Sequence, residues 1–288
     1  MIKYVSDLTE NWVAKRLPKR PKDANKGTFG KVLVIAGSEK YPGASYLSCA
    51  AAYRVGAGLV TLASIKSVCD FVIKKLPEVT LVPLPDETIY QKIYDFDVVL
   101  IGPGLGKDQT EFLRKLLTMY DMPKFVIDGD GLNALAKMDH WWKEIDEYMQ
   151  FITLTPHPRE MSRLTGLTVE EIQKNREKIA QEYATKWRQA VVLKGAKTVI
   201  SSPAGEVKIT SFANPLLSTA GTGDILSGII AGLLAQGLDN FEAACCGVYI
   251  HGLAAEMLKE QLGDRGMLAS DLLSVLPLSI RHIQTQNR

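Results

Sequence analysis

The sequence predicts an α/β protein with a mostly parallel central sheet and helices on both faces. Three observations predict it. Short, almost wholly apolar runs alternate with helical stretches along the chain, and strands apolar on both sides belong to parallel sheets covered on both faces. Glycine-rich or polar turns follow several of these runs, where ligands collect in an open α/β sheet. The chain has 288 residues, 46% hydrophobic and 23% charged, which fits one large α/β domain. No composition break, internal repeat or low-complexity stretch divides it, so residues 1–288 are read as a single domain with an arm over residues 1–26.

The elements follow in order. The arm is charged, is broken by Pro18 and Pro21, and carries a short helix near Thr9–Arg16. Lys31–Ala36 is β-branched and apolar, a buried strand ending at Gly37. Ala44–Val55 has the small residues of a tightly packed helix, and Gly56 and Gly58 stop it. Leu59–Ala63, Asp97–Ile101 and Lys124–Ile127 read as further strands, with helices at Thr110–Met119 and Leu132–Lys137. The alternation continues with a strand at Ile152–Leu154, helices at Pro158–Leu164 and Val169–Thr185, and a strand at Ala190–Leu193. Thr198–Ser201 and Val207–Thr210 flank Pro203-Ala204-Gly205 as a hairpin. Helices at Gly223–Gln236, Asn240–Leu262 and Ala269–Arg281 close the chain.

Composition removes several function classes. Thirty-four Lys and Arg against 32 Asp and Glu leave a net charge of +2, so no nucleic acid partner is expected. No signal peptide opens the chain, and no apolar run reaches the length of a membrane span. Cys49, Cys69, Cys245 and Cys246 form no CxxC, and buried free thiols in a reducing cytoplasm are expected. Gly102–Gly106 is GxGxG, not the dinucleotide fingerprint, and no GxxxxGK[ST] is present. His140, His157, His251 and His282 lack metal-site spacing. His140 is expected at the surface or in packing, and His251 as a hydrogen-bonded core histidine. His157 stands between Pro156 and Pro158, which hold it extended in a strand-end loop, and is read as a ligand contact.

The chemistry concentrates in Ser218-Thr219-Ala220-Gly221-Thr222-Gly223-Asp224, a small-residue turn leading into an apolar helix. Free N–H groups at that helix start, with the positive end of the macrodipole, make an anion site. Asp224 would repel a phosphate there, so it suggests a base or a metal contact at a phosphoryl-transfer centre. A plain capping role is the alternative. Lys194-Gly195-Ala196-Lys197-Thr198 offers two cations for phosphates and a glycine where main chain can approach a nucleotide. Gly37–Ala44, Gly102–Gly106, Asp128-Gly129-Asp130-Gly131 and Thr155–Glu160 complete a set of strand-end turns.

Gly37-Ser38-Glu39-Lys40-Tyr41-Pro42-Gly43-Ala44, Gly102–Gly106, Thr155–Glu160 and Ala220–Gly228 resemble, in this order, the ADP/ATP-dependent NAD(P)H-hydrate dehydratases of the ribokinase-like superfamily. The likeness covers essentially the whole chain. Arg159 departs from it, standing where the family pattern has glycine. The chain looks like the stand-alone form, and no fused epimerase domain is expected. The resemblance implies repair of NADH or NADPH hydrated at C6 of the nicotinamide ring, through phosphorylation of the C6 hydroxyl and loss of phosphate. It implies ADP as phosphoryl donor in the bacterial manner, with ATP the donor of eukaryotic relatives, and Mg²⁺ held largely by the nucleotide and water. It places the hydrate at Ala44, Gly104, Gly106, His157 and Asp224, the last as catalytic base. It places the nucleotide at Lys194, Gly195, Ala196, Lys197 and Thr198, and at Gly221, Thr222 and Gly223. A homotetramer is also implied. A small-molecule kinase acting on a vitamin-precursor alcohol, or a nucleotide sensor without catalysis, would share the anion cradle.

Overall fold

Successive residues of the central strands point to opposite sides, and the side chains they present fall into two separate cores. Val32 and Val34, Val98 and Leu100 face one core. Leu33 and Ile35, Val99 and Ile101 face the other. This two-residue alternation between two apolar layers is what a sheet covered on both faces requires. The computed structural model describes residues 4–106, 108–145 and 152–286.

In chain order the strands are β1 (Tyr4–Asp7), β2 (Lys31–Ile35), β3 (Leu59–Ile65), β4 (Thr80–Leu84), β5 (Val98–Ile101), β6 (Lys124–Ile127), β7 (Ile152–Leu154), β8 (Ala190–Leu193), β9 (Val199–Ser201) and β10 (Glu206–Ile209). The helices begin with α1 (Glu10–Ala14), α2 (Pro42–Arg54), α3 (Lys66–Val72), α4 (Ile89–Lys92), α5 (Thr110–Leu117), α6 (Asp130–Leu135) and α7 (Trp141–Glu144). They continue with α8 (Pro158–Thr165), α9 (Val169–Lys174), α10 (Arg176–Trp187), α11 (Thr222–Ala235), α12 (Asn240–Leu262) and α13 (Ala269–Gln286). The strands form one sheet of order β1-β10-β9-β8-β7-β6-β5-β2-β3-β4. Only β9 runs antiparallel to its neighbours among the described residues.

Helices α2, α11, α12 and α13 cover one face, and α5, α6 and α10 the other. The tightest seam joins α2 to α11. A Cβ on Gly228 would stand 2.3 Å from the Ser48 carbonyl oxygen, and one on Gly232 would stand 2.8 Å from that of Ala52. The two backbones therefore touch without intervening side chains.

Three sequence expectations need correction. Part of the residues 1–26 arm belongs to the sheet, because Tyr4–Asp7 pairs in parallel with Glu206–Ile209; residues 1–3 lie outside the described residues. The stretch Val169–Thr185 is two helices, broken at Asn175, whose φ of −133° leaves the helical region. The sheet also gains β4 on its far edge, where Pro83 and an exposed face hide the strand signal.

Candidate active site

The strand order reverses between β2 and β5. From β2 the chain winds outward through β3 to β4, then returns to lay β5 on the other side of β2. The loop after β2 leads to α2 on one face, and the loop after β5 leads to α5 on the other. The loops diverge, and this topological switch point is where open α/β sheets bind ligands. A cavity of about 1030 Å³ opens there, lined by Gly37, Ser38, Tyr41, Gly106 and Asp130 and by Tyr90 and Phe112.

The inner wall is built by close backbone packing. Gly37 N–H donates to the Pro103 carbonyl at 2.8 Å, and the Ser38 hydroxyl donates to the Gly104 carbonyl at 2.7 Å. Gly104 has φ +62°, and a Cβ there would lie 2.8 Å from that of Ala44. Gly106 N–H donates to Asp130 Oδ2 at 2.8 Å. Of the residues expected to meet the hydrate, Gly106 lines the cavity, while Gly104 packs against Ala44 beside it.

Asp224 lies beyond this wall, in the first turn of α11. The helix starts from Gly221 (φ +93°), with no side chain capping it; Thr222 N–H donates to the Thr219 carbonyl at 3.3 Å, and among the described residues the Gly223 and Asp224 amides remain available to an anion. The capping role for Asp224 does not hold. Burial, reinforced by the negative charge of Asp128, pushes its carboxyl up to about 7, with Asp130 and Glu160 adding to the rise. A carboxylate that titrates near neutral pH is suited to accept a proton.

Lys194 turns inward rather than toward solvent. Its Nζ sits 2.7 Å from Asp128 Oδ1 and 3.8 Å from Glu160 Oε2, and its side chain is 18% exposed. A Cβ on Gly223 would come 3.5 Å from that Nζ. The cation therefore stands directly beside the open end of α11. Burial works against its charge, but Asp128 and Glu160 outweigh that and raise its pKa. Glu160 itself is buried, which pushes its carboxyl up to about 7.

His157 is the amino cap of α8. Its Nδ1 accepts from Arg159 N–H and Glu160 N–H, each at 3.1 Å. Glu160 Oε2 accepts from His157 N–H at 2.7 Å, closing a capping box. With Nδ1 engaged as acceptor the neutral ring carries its proton on Nε2, and burial lowers the imidazole pKa. Nε2 lies 3.3 Å from Glu160 Oε1. The departing Arg159 is exposed.

The turn from Lys194 to Thr198 follows β8 into the hairpin. Lys194 N–H donates to the Pro156 carbonyl and Lys197 N–H to that of Phe212, so neither amide is free for a nucleotide. Thr198 Oγ1 donates to the Gly195 carbonyl at 3.0 Å. Gly195, Ala196 and Lys197 are exposed. The Thr222 hydroxyl turns back to the Leu217 and Thr219 carbonyls. Thr222 therefore fastens the turn with its side chain.

Three groups were missed as site residues in the sequence. Asp128 and Asp130 were visible only as a polar turn after β6. Glu160 had a usable signal, because a potential cap followed three residues later by Glu marks a helix start. His251 is a buried core histidine hydrogen-bonded to the Thr222 backbone, as expected. Its Nε2 has no hydrogen-bond partner among the described residues, and burial pushes the ring down to about 4. His140 lies exposed against the Trp142 ring, at 5.2 Å between centroids, as expected. All four cysteines are buried and free, also as expected.

Residues 32–278 match the family pattern described as NAD(P)H-hydrate dehydratase. The chain belongs to this family. A curated relative in Bacillus subtilis, the ADP-dependent (S)-NAD(P)H-hydrate dehydratase, is 35% identical over 279 residues, 93% of this chain and 95% of the relative. A bifunctional NAD(P)H-hydrate repair enzyme from Moorella thermoacetica is 39% identical over 292 residues, 97% of this chain and 54% of the relative. The chain thus spans about half the length of the first curated relatives it matches. The crystal structure of the Bacillus subtilis ADP/ATP-dependent NAD(P)H-hydrate dehydratase co-crystallised with ATP/Mg²⁺ superposes with a TM-score of 0.83 at 33% identity, over 97% of this chain and 99% of that one. A ribokinase from Thermotoga maritima superposes with a TM-score of 0.55 at 14% identity, which shows a shared fold and no more.

Proposed function

We propose that the chain removes water from the hydrates of NADH and NADPH, with ADP as phosphoryl donor. Asp224 accepts the proton of the C6 hydroxyl, and that oxygen attacks the β-phosphorus of ADP as the bond to AMP breaks. The first amides of α11 and the Lys194 ammonium receive the charge of the transferred group. The ring nitrogen then expels inorganic phosphate, and loss of a proton restores the dihydropyridine. The sum is hydrate plus ADP giving NAD(P)H, AMP, phosphate and a proton. The observation that carries this reading is the partly buried Asp224 carboxyl, raised to about 7, beside an uncapped helix start. The 1030 Å³ cavity beside Gly106 has room for a large ligand such as a dinucleotide.

Among the described residues no group of three or more His, Cys, Asp or Glu side chains is arranged to hold a metal ion. We assign Mg²⁺ to the nucleotide phosphates and water, where it would neutralise charge on the transferred group. Nucleotide contacts are assigned to the 194–198 turn and to Gly221, Thr222 and Gly223, and hydrate contacts to Ala44, Gly104, Gly106, His157 and Asp224. We place the protein in the cytoplasm, in keeping with its free thiols; among the described residues, no helix is long and apolar enough to cross a membrane. We also propose a homotetramer. Val5 on β1 and Leu278 on α13, 40% and 53% exposed, supply apolar surface at the arm and the last helix. Light scattering that gives a monomer at micromolar concentration removes that assembly.

The test is to mix the protein with NADH hydrate and ADP, following reformed NADH by absorbance together with released phosphate. Phosphate and NADH in equal amounts support a dehydratase. A stable phosphoester would indicate a kinase, and no product a sensor. Purified ATP is expected to work more slowly than ADP, because its γ-phosphate extends into the space of the hydrate.

A further inference from the structure

Arg176 is placed against the preferences of its own helix. It is the first residue of α10, where the helix dipole disfavours a cation, and Asn175 before it supplies no side-chain cap. Its Nε is buried without a hydrogen-bond partner among the described residues. Its hydrogen-bond acceptors are neutral. Nη1 donates to Gln173 Oε1 at 3.1 Å, and Nη2 donates to the Leu193 carbonyl at 2.8 Å and to that of Lys194 at 3.3 Å. Burial lowers its pKa, which reflects the cost of keeping this charge from water.

The compensation lies in the loop that the guanidinium holds. In a trans peptide the N–H points opposite to the carbonyl of the same unit. The carbonyls of Leu193 and Lys194 both point at Arg176, so the N–H groups of Lys194 and Gly195 both point away from it. The first of these reaches the Pro156 carbonyl at 2.8 Å, on the side of the β7 loop that carries His157. The second takes the same sense. Gly195 has φ +150°, and a Cβ there would lie 2.9 Å from Arg176 Nη1. The loop therefore lies flat on the guanidinium, and only glycine permits it.

We propose that Arg176 is a positioning residue for nucleotide binding: it holds the Leu193 and Lys194 carbonyls away from the ligand, leaves the Gly195 amide facing a phosphate, and places behind the loop a positive charge that has no carboxylate partner among the described residues. This rests on the reading of residues 194–198 as the nucleotide-binding turn. Without Arg176 the Lys194 carbonyl is free to rotate toward the phosphates, which it would repel, while the Leu193 carbonyl stays held through the Lys194 N–H on Pro156.

The test uses calorimetric titration of the full chain with ADP, together with separate KM values for ADP and for NADH hydrate. Arg176→Met is expected to weaken ADP binding about tenfold or more, and Arg176→Lys, which keeps the charge but loses the fork, about fivefold. The hydrate KM is expected to stay within about twofold, a split that general loss of structure would not produce. Gly195→Ala, which pushes the loop off the guanidinium, is expected to show the same nucleotide-selective loss. If Arg176→Met does not fold, Arg176→Lys decides by the same readings. ADP affinity within about twofold of wild type in the folded arginine variants, or equal losses for both substrates, overturns the proposal. Wild-type protein that binds no ADP sinks the nucleotide reading itself, and this proposal with it.

Discussion

Two glycine-rich turns in this chain look alike on paper and do opposite work. In Gly102–Gly106 three amides are already used: Gly102 N–H meets the Ile35 carbonyl and Leu105 N–H that of Gly102, and Gly106 N–H meets the Asp130 carboxylate at 2.8 Å. In Gly221–Asp224 no side chain caps the helix that follows, and Lys194 waits beside Gly223. The first turn is a wall, with glycines where neighbouring loops press too close for a Cβ. The second is a socket. Glycine content therefore does not mark an anion site. What marks one is a set of amides that the protein itself leaves unclaimed.

The comparison breaks most sharply at Asp224. Asp224→Asn is expected to lower turnover by roughly 10²–10⁴, with ADP affinity in calorimetry largely kept. A variant with more than half of wild-type turnover would remove Asp224 from the mechanism. The same substitution is expected to raise the melting temperature at pH 8. The folded carboxyl is raised to about 7 from an ordinary 3.8, so the folded state holds this proton more tightly than the unfolded chain. The resulting penalty is absent at pH 3 and grows from about pH 4 to about pH 7. Asparagine carries no such penalty.

Next come the paired substitutions Gly223→Ala and Gly104→Ala. A Cβ on Gly223 meets the Lys194 ammonium at an ordinary 3.5 Å, so folding should be unaffected. It fills the socket, however, and ADP affinity should fall about tenfold. A Cβ on Gly104 needs a φ of +62° and lies 2.8 Å from the Ala44 Cβ. That variant should lose about 1–3 kcal/mol in denaturant unfolding, with ADP affinity unchanged. The reverse outcome would exchange wall and socket.

The smallest expected effect is in pH dependence. Activity should rise with pH along a limb centred near 7, since Asp224 must be ionised to act. Asp130→Asn removes one of the negative charges that raise this carboxyl, so the limb should move to lower pH, by less than about one unit. A limb centred near 4 in the wild type would show that Asp224 is ionised throughout, and the assigned base would need another explanation.

Much of the fold is legible because burial on both faces writes a strand as an unbroken apolar run. Val98–Ile101, Lys124–Ile127 and Ala190–Leu193 were readable for that reason. Tyr4–Asp7 was not, since it is short, mostly polar and pairs with residues about two hundred positions away. The break at Asn175 was hidden because residues on both sides favour helix, and only the backbone turn separates them. At the site, Asp224 and the glycine turns are local and could be read. The pairing of Lys194 with Asp128 spans 66 positions, and no local pattern reports it. The two lysines of the 194–198 turn looked equivalent in sequence. Folding sends Lys194 inward to two carboxylates and leaves Lys197 in solvent.

The seam between α2 and α11 works like a machinist's gauge block. Gly228 and Gly232 set backbone against backbone, and the Ser48 hydroxyl donates to the Asp224 carbonyl at 3.1 Å. The first turn of α2 carries Ala44, and the first turn of α11 carries Gly223 and Asp224. The spacing between the wall for the acceptor and the cradle for the donor is thus fixed by covalent geometry and van der Waals radii, with no rotamers in between. Such a joint does not drift under mutation. It either closes or fails. Descendants of this chain with new acceptors should therefore have changed their cavity rims, around Tyr41, Tyr90 and Phe112, and left this joint alone.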